Sequence, residues 1–300
     1  MQSPRLCCLD LDTFFVSVER LLDPRLRGVP VVVGGLRGGR GVVTSASYEA
    51  RAFGVRSGMS IREASERAPA EVVFVSGHHD EYSSYSQRAR EIVERFSPVV
   101  VAASIDEHYL DFRGCERLYR RPGDAGDDAT ILRTVRAITD TIDRELGLPS
   151  SAGVATSKSM AKVASGLAKP RGVILVPAGA EEATLAPLAV RKLPGIGPVS
   201  EGRLVAAGIA TLGQLVTAPD ALLRPIFGSY TDGLRASARG DGADELGRER
   251  PAFREHDPRG VVAGTISNER TFVERDADTA ASVLSSLCER VCSRARARGV

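Results

Sequence analysis

The chain has 300 residues, of which 43% are hydrophobic, and a formal net charge of +2 at pH 7. This length and apolar content predict a globular protein of two or more domains and exclude an intrinsically disordered chain. Because the net charge is small, composition alone does not indicate a polyanion ligand, and any nucleic-acid surface has to be local.

The amino terminus and the cysteines indicate the compartment. The first residues lack the apolar core of a signal peptide, and no run of about eighteen apolar residues is available to span a membrane. The five cysteines form no CxxC pair, and an odd number with two in one apolar strand favours reduced thiols. We therefore expect a cytoplasmic protein without a membrane segment.

The first predicted element is a short apolar strand from Arg5 that carries acids at alternate positions, Asp10 and Asp12. Side chains two residues apart in a strand lie on the same face, so these two carboxylates should share a face. A short helix over Phe15–Leu22 and a second strand over Val29–Val33 are predicted to follow.

A glycine-rich loop leads to a third predicted strand, Val42–Thr44, and then to a helix capped by Ser45 or Ser47. Tyr48 and Arg51 are three residues apart on this helix, so they share one face near its amino terminus, where the backbone favours an anion. A triphosphate would fit this arrangement. The alternative is a surface arginine beside a packing tyrosine.

A long amphipathic helix is predicted over His78–Phe96, with Tyr82 on its apolar stripe, and an acidic hairpin follows it. The hairpin strands, Val99–Ala103 and Tyr109–Phe112, are mostly apolar, yet Asp106 and Glu107 lie between them. Either these two are solvent-facing turn acids or they are held near a cation, because a bare carboxylate in an apolar setting is costly.

Two strands that end in carboxylates, far apart in sequence, suit a divalent metal site. Mg²⁺ prefers carboxylate, carbonyl and phosphate oxygens, and a pair of ions about 4 Å apart is used for in-line phosphoryl transfer. The acids near positions 10 and 106 therefore favour a site for two Mg²⁺ ions.

Beyond a charged loop we expect a helix over Ala129–Leu146, a strand over Ser151–Ala155 and a helix over Ser157–Ala168. The last of these carries Lys158 and Lys162 four residues apart, so both can reach one site. Only four of the forty basic residues are lysine, and all four lie between positions 158 and 192. Lysine usually meets phosphate as a compact point charge, which favours phosphate binding over a chance cluster.

The segment Leu193–Val199 precedes another predicted helix and is typical of a helix-hairpin-helix. Its glycines let the backbone approach a phosphodiester, so Gly195, Ile196 and Gly197 are candidate DNA-binding residues that would not read sequence. The alternative is a glycine turn between packed helices.

A polar linker is predicted over 235–258, followed by a strand over Val261–Phe272 and a helix over Ala277–Arg298. One strand and one helix cannot bury a domain core alone, so we expect this last part to be truncated or poorly ordered.

Four motifs follow one another along the chain: Asp10–Phe15; Tyr48–Arg51 with Phe53–Val55; Ser104–Glu107; and Ala161–Lys162 with Lys169–Gly172. In this order and at these spacings they resemble the motifs of Y-family, lesion-bypass DNA polymerases, closest to the bacterial DNA polymerase IV type. The resemblance runs from residue 5 to about residue 272.

The resemblance implies an α+β right-hand polymerase fold. Its parts would be a ferredoxin-like palm that carries the acids (1–21 and 81–167), small fingers (22–80), a helical thumb with the helix-hairpin-helix (168–234), a linker (235–258) and the start of a truncated little finger (259–300).

It also implies the activity, which is template-directed addition of dNTPs to a primer 3′ end in low-fidelity translesion synthesis. By resemblance, Asp10, Asp106, Glu107 and the Leu11 carbonyl are expected to be catalytic ligands of two Mg²⁺ ions. Asp12 shares the face of Asp10 but is expected to be structural.

Five further residues are expected at the nucleotide by resemblance. Tyr48, Arg51 and Lys162 would bind the triphosphate, and Phe14 and Phe15 would lie at the nucleotide. Phe15 matches the steric gate, a bulky ring that would clash with a ribose 2′-hydroxyl.

The chain departs from the family pattern at two places. Ser157 stands where the family commonly has asparagine, and His108 stands where it commonly has alanine. Neither departure removes an expected metal ligand, but both bear on the details of the site.

The expected partners are primer-template DNA and a dNTP, with a sliding clamp reached through a segment beyond residue 300, and the chain is expected to be a monomer. Two other functions remain open. A palm-type nucleotidyl cyclase would use the same metal chemistry without a template, and a DNA-binding module would have lost catalysis. Template dependence would distinguish the first from a polymerase, and any turnover would distinguish the second.

Overall fold

The computed structural model describes residues 5–242, 246 and 277–297. They form two compact units, one with the described residues of 1–12 and 87–248 and the other with those of 13–86 and 249–300. The predicted strand over 261–272 and most of the predicted linker lie outside the described residues. The first residues of that linker are helical, because a helix extends to Arg239.

The strands in chain order are β1 (Leu6–Leu11), β2 (Val31–Val33), β3 (Ser45–Ala46), β4 (Val73–Val75), β5 (Val99–Ala102), β6 (Glu107–Asp111), β7 (Ser150–Ala155) and β8 (Val173–Leu175). The helices are α1 (Phe14–Leu22), α2 (Tyr48–Ala52), α3 (Ile61–Arg67), α4 (His79–Glu94), α5 (Glu116–Tyr119), α6 (Asp127–Leu146), α7 (Lys158–Ala168), α8 (Glu181–Leu185), α9 (Pro198–Ala206), α10 (Leu212–Thr217), α11 (Asp220–Phe227), α12 (Thr231–Arg239) and α13 (Ala277–Ala297). Short 3-10 turns cover Pro24–Leu26, Val190–Lys192 and Gly228–Tyr230.

The first unit is built on a five-stranded sheet with strand order β5-β6-β1-β7-β8. The central strand, β1, pairs antiparallel with both β6 and β7, and β8 adds parallel to β7. Leu6, Cys7, Cys8 and Leu9 are fully buried, so β1 is covered on both faces along most of its length. The sheet therefore holds rigidly the point at which β1 reaches Asp10.

Helix α7 covers the sheet at β7 and β1. Gly153 in β7 permits this close approach, because a Cβ at that position would lie 2.1 Å from the backbone nitrogen of Ser165 in α7. The helix begins at its predicted cap, Ser157, whose Oγ accepts a hydrogen bond from the Met160 amide at 3.3 Å. Helices α8 to α12 share one apolar cluster with α7 through residues such as Leu204 and Leu212.

The second unit contains a three-stranded sheet with strand order β3-β2-β4. Val32, Val43, Ile61 and Phe74 belong to its apolar core. The predicted strand over Val42–Thr44 is wrong in detail. Val42 makes only an isolated bridge, and the regular strand β3 begins at Ser45, where pairing with β2 starts.

The predicted α+β class is confirmed, and most helix bounds agree with the sequence to within two residues. The long helix predicted over 78–96 is α4 (79–94), and the helix predicted over 277–298 is α13 (277–297). In the part of the chain that the structure describes, no helix combines the length and apolar character needed to cross a membrane.

Candidate active site

The acids predicted from two separate stretches lie together in the first unit. Asp10 is directly opposite Glu107 in the antiparallel pairing of β1 with β6, and side chains at paired positions share a face of the sheet. The Leu11 amide donates a hydrogen bond to the Asp106 carbonyl at 2.9 Å. Asp106 therefore lies in the turn beside the end of β1, and Glu107 begins β6.

Two lysines contact this group of carboxylates. Lys162 of α7 donates a hydrogen bond to Glu107 Oε2, and Lys169, just after α7, donates one to Asp10 Oδ1. The Lys162 side chain is 44% exposed, whereas that of Glu107 is only 10% exposed. Burial lowers the pKa of Lys162, but the hydrogen bond and the charge of Glu107 outweigh it, so this pKa is raised.

The pKa of the Asp10 carboxyl is strongly raised. Burial raises its pKa to about 6, against the opposing effect of the Lys169 ammonium group. The negative charges of Asp106 and Glu107 raise it further, which means that the three carboxylates interact electrostatically. Like charges held together in this way favour a divalent cation.

Asp12 has a different environment, although it shares the face of Asp10. It is 1% exposed, and its Oδ2 accepts hydrogen bonds from Ser151 Oγ and from the Arg171 amide, both at 2.8 Å. These bonds connect β1 to β7 and to the segment after α7. The contacts support the structural role expected for Asp12.

The donor set suits Mg²⁺ in its chemistry, since it consists of carboxylate oxygens beside a strand carbonyl. Among the described residues, no group of three or more His, Cys, Asp or Glu side chains is drawn together as closely as metal coordination requires. Lysine ammonium groups contact Asp10 and Glu107 instead. The residues fit a divalent cation provided that these two lysines give way.

The predicted nucleotide residues other than Lys162 lie in the second unit. Arg51 donates a hydrogen bond through Nε to the Ala46 carbonyl at 3.0 Å, and its guanidinium lies 5.1 Å from the centre of the Tyr48 ring. The cap of their helix is Ser47, whose Oγ accepts from the Ala50 amide at 3.2 Å. Tyr48 is 38% exposed, so the pair is open to solvent on one side.

Phe14 and Phe15 begin α1 in the same unit, with ring centres 5.6 Å apart. Phe14 is buried in the core, and Phe15 is half-buried. The ring of Phe15 is stacked on Tyr82 at 4.1 Å. Sequence patterning assigned Tyr82 only to the apolar stripe of α4 and gave no signal for this stack.

The predicted hairpin lies between the 3-10 turn Val190–Lys192 and α9. Gly195 is exposed with a φ of +97°, Ile196 is 1% exposed and anchors the hairpin, and Gly197 is the residue before α9. The amide groups of the first turn of α9 thus follow directly on two glycines. The element before the hairpin is a short 3-10 turn.

Both departures from the family pattern are accommodated in the first unit. Ser157 Oγ caps α7 and also donates a hydrogen bond to the Gly240 carbonyl at 2.9 Å. His108 is 1% exposed in β6, where it pairs with Leu9 on one side and with Ala102 on the other. Neither residue displaces Asp10, Asp106 or Glu107.

Lys169 is the site residue that sequence reasoning missed. It was part of a recognised motif and of the lysine cluster, but neither observation assigned it to Asp10. The grouping of all four lysines in one stretch of sequence was the signal that could have identified Lys169. Three of these four lysines contact the acids or a neighbouring ring. Lys158, the third, lies 4.6 Å from the centre of the Tyr109 ring.

Comparison of the sequence with known proteins identifies one family and several of its members as similar to this chain. Residues 9–166 match the model of the impB/mucB/samB family. A DNA polymerase IV of Dehalococcoides mccartyi is 40% identical over 98% of this chain and 71% of its own length. DNA polymerase IV 2 of Mesorhizobium japonicum is 45% identical over 73% of this chain and 49% of its own length.

Solved structures agree with these relatives. DinB from Sulfolobus solfataricus superposes with a TM-score of 0.72 and 29% identity, covering 80% of this chain and 69% of that one. An insertion ternary complex of Dbh DNA polymerase superposes with a TM-score of 0.70 and 28% identity, covering 81% of this chain and 69% of that one. The chain therefore belongs to the impB/mucB/samB family, the Y-family of lesion-bypass DNA polymerases.

Proposed function

We propose that this chain extends a primer 3′ end along a DNA template by two-metal-ion phosphoryl transfer, with Mg²⁺ as the metal. Family membership makes it a translesion, DNA-directed DNA polymerase that depends on a divalent metal and acts on primer-template DNA and a dNTP. We propose in addition that the metal is Mg²⁺, that two ions bind, and that the residues named below have the roles given there. The observation that carries it is the Asp10–Glu107 pairing with Asp106 beside it.

Asp10, Asp106, Glu107 and the Leu11 carbonyl are the proposed metal ligands. When bound, two Mg²⁺ ions supply Lewis acids that activate the attacking 3′-hydroxyl and neutralise charge on the leaving group. The chain's own contribution is to hold Asp10 and Glu107 in register on adjoining strands, with Asp106 in the turn beside them. A rigid sheet fixes that geometry before the substrates arrive, which suits catalysis by positioning.

The triphosphate is proposed to bind Lys162, Tyr48 and Arg51. Lys162 is paired with Glu107, so it has to exchange this carboxylate for phosphate oxygens when a nucleotide binds. A partly exposed lysine on a helix surface can make this change by side-chain rotation alone. The Arg51 guanidinium, 5.1 Å from the centre of the Tyr48 ring, and the Tyr48 hydroxyl offer further donors to the phosphates.

Two further roles complete the proposal. Phe15 excludes ribonucleotides by blocking the position of a 2′-hydroxyl, and Phe14, whose ring lies 5.6 Å from that of Phe15, is proposed to lie at the nucleotide with it. The hairpin residues Gly195, Ile196 and Gly197 bind the DNA backbone without reading its sequence. We also propose that the protein is cytoplasmic and monomeric and that it binds a sliding clamp.

Single-nucleotide extension tests the proposal. A labelled primer is annealed to four templates that differ only in the next base, and each dNTP is supplied alone with Mg²⁺. We expect preferential addition of the complementary nucleotide, loss of extension on chelation and recovery when Mg²⁺ is restored. Nucleotide turnover without any template would instead indicate a cyclase.

A further inference from the structure

An aromatic cluster in the second unit surrounds Phe15. The rings of Phe15 and Tyr82 are stacked, with centres 4.1 Å apart and planes inclined by 11°. The His79 ring makes a T-shaped contact with each of them, with ring centres 5.9 Å apart for Phe15 and 5.4 Å apart for Tyr82. Tyr82 is fully buried and Phe15 is half-buried, so one face of Phe15 rests on a fixed surface.

Tyr82 is fixed in turn by Glu19 of α1. The Tyr82 hydroxyl donates a hydrogen bond to Glu19 Oε1, and Glu19 is only 3% exposed. The same carboxylate accepts the His78 amide at 3.1 Å and lies 3.0 Å from His78 Nδ1. Burial and the neighbouring carboxylate raise the pKa of Tyr82, so its hydroxyl remains a donor at neutral pH.

Gly77 makes room for the same hydroxyl. Its φ is +96°, and a Cβ added there would lie 2.7 Å from Tyr82 Oη. The position of the Tyr82 ring is therefore determined both by a charge-assisted hydrogen bond and by the absence of a side chain behind it.

We propose that Glu19 and Tyr82 are positioning residues for sugar selection: Glu19 fixes the Tyr82 ring, and the Tyr82 ring prevents Phe15 from yielding to a ribose 2′-hydroxyl. This inference rests on the proposed gate role of Phe15. A steric gate discriminates only as far as its ring resists displacement, so the stiffness of the support becomes part of the selectivity.

The experiment measures kcat/KM for a dNTP and for the matching rNTP in single-nucleotide extension. Tyr82→Phe keeps the ring and removes the hydroxyl, while Glu19→Gln keeps an acceptor and removes the charge. Phe15→Ala removes the gate itself. Tyr119→Phe is the matched control, because its hydroxyl donates a hydrogen bond to the Phe96 carbonyl at 2.7 Å in the other unit.

We expect Tyr82→Phe to lower the dNTP-to-rNTP ratio by about tenfold, which corresponds to losing one hydrogen bond to a charged group. The change should come from a higher rNTP kcat/KM, with the dNTP value nearly unchanged. Glu19→Gln should have a smaller effect in the same direction, since the amide oxygen can still accept from Tyr82. Tyr119→Phe should leave the ratio unchanged.

Two results would overturn the inference and are distinguishable. If Phe15→Ala relaxes sugar selection while Tyr82→Phe and Glu19→Gln leave the ratio unchanged or lower both substrates equally, the support is merely structural and the gate stands. If Phe15→Ala itself leaves the ratio unchanged, the gate role is wrong and the inference is overturned with it. Thermal unfolding of each variant confirms that it is folded.

Discussion

Lys169 donates a hydrogen bond to Asp10 at the end of β1, and Lys162 makes the equivalent contact with Glu107 on the paired position of β6. Each of these two facing carboxylates is therefore neutralised by a lysine. A divalent cation that binds here has to compete with both ammonium groups for carboxylate oxygens. Metal binding should accordingly depend on the lysines as well as on the acids.

The affinity for Mg²⁺ is expected to fall on acidification through about pH 6. Burial raises the pKa of Asp10 to about 6, and a metal binds only the ionised carboxylate. Calorimetric titration of Mg²⁺ into the protein without DNA, between pH 5 and pH 8, measures this. An affinity that is constant across the range would contradict a role for Asp10 as a ligand.

Lys169→Met is expected to change that profile in two opposite ways. Removing the ammonium group removes a competitor, so Mg²⁺ should bind more tightly at pH 8. It also removes the cation that opposes the rise in the pKa of Asp10, so the loss of affinity should begin at a higher pH. Lys158→Met is the control, since Lys158 lies over the Tyr109 ring.

Asp10 and Asp12 are expected to affect stability differently although they are two residues apart. Asp12→Ala leaves the Ser151 hydroxyl and the Arg171 amide without their acceptor, which should cost about 3 kcal/mol of the free energy of unfolding. Asp10→Asn should change the free energy of unfolding little at pH 8. The pKa of Asp10 is raised on folding, so the ionised carboxylate present at pH 8 does not stabilise the folded state. Urea unfolding measures both, and equal losses would contradict the assignment.

Gly197→Ala is expected to weaken DNA binding while changing stability by at most about 1 kcal/mol, the cost of alanine at a helix cap. A Cβ at position 197 would have no atom within 4 Å in the protein itself. A loss of DNA affinity in this variant would therefore mean that the added methyl group keeps the hairpin backbone away from the DNA. Fluorescence anisotropy with two primed duplexes of different sequence should show equal weakening. Gly202→Ala, within α9 and equally free of contacts, should bind DNA as the unchanged protein does.

Lys162→Met is expected to raise the KM for a dNTP about tenfold, as for one charge-assisted contact to phosphate, with DNA affinity unchanged. Steady-state extension kinetics at saturating primer-template measure this. Lys158→Met provides the comparison on the same helix face. If both variants raise KM equally, the effect is a general loss of positive charge and Lys162 has no specific role.

The strands and the helix that carry the site were predicted well from the sequence, because alternating and continuous apolar residues are typical of strands in a buried sheet. The face shared by Asp10 and Asp12, the acidic hairpin and the capped helix with Lys162 were all foreseen. These features depend on local geometry, which neighbouring residues determine.

The missed features depend on contacts between distant residues. Asp12 is held by Ser151, 139 positions away, and Asp10 by Lys169, 159 positions away. Periodicity assigns a side chain to a face but does not identify what approaches that face. The same limit applies to Tyr82, whose stripe on α4 indicated burial but not its bond to Glu19.

Primer extension with the matched variants Asp106→Ala and Asp111→Ala tests the central claim most directly. The two acids lie near opposite ends of β6, and Asp111 is paired with Arg113 away from the proposed site. We predict template-directed extension by the unchanged chain and by Asp111→Ala, and none by Asp106→Ala, with all three binding primed DNA equally. Extension by Asp106→Ala at the unchanged rate would contradict the proposed metal site.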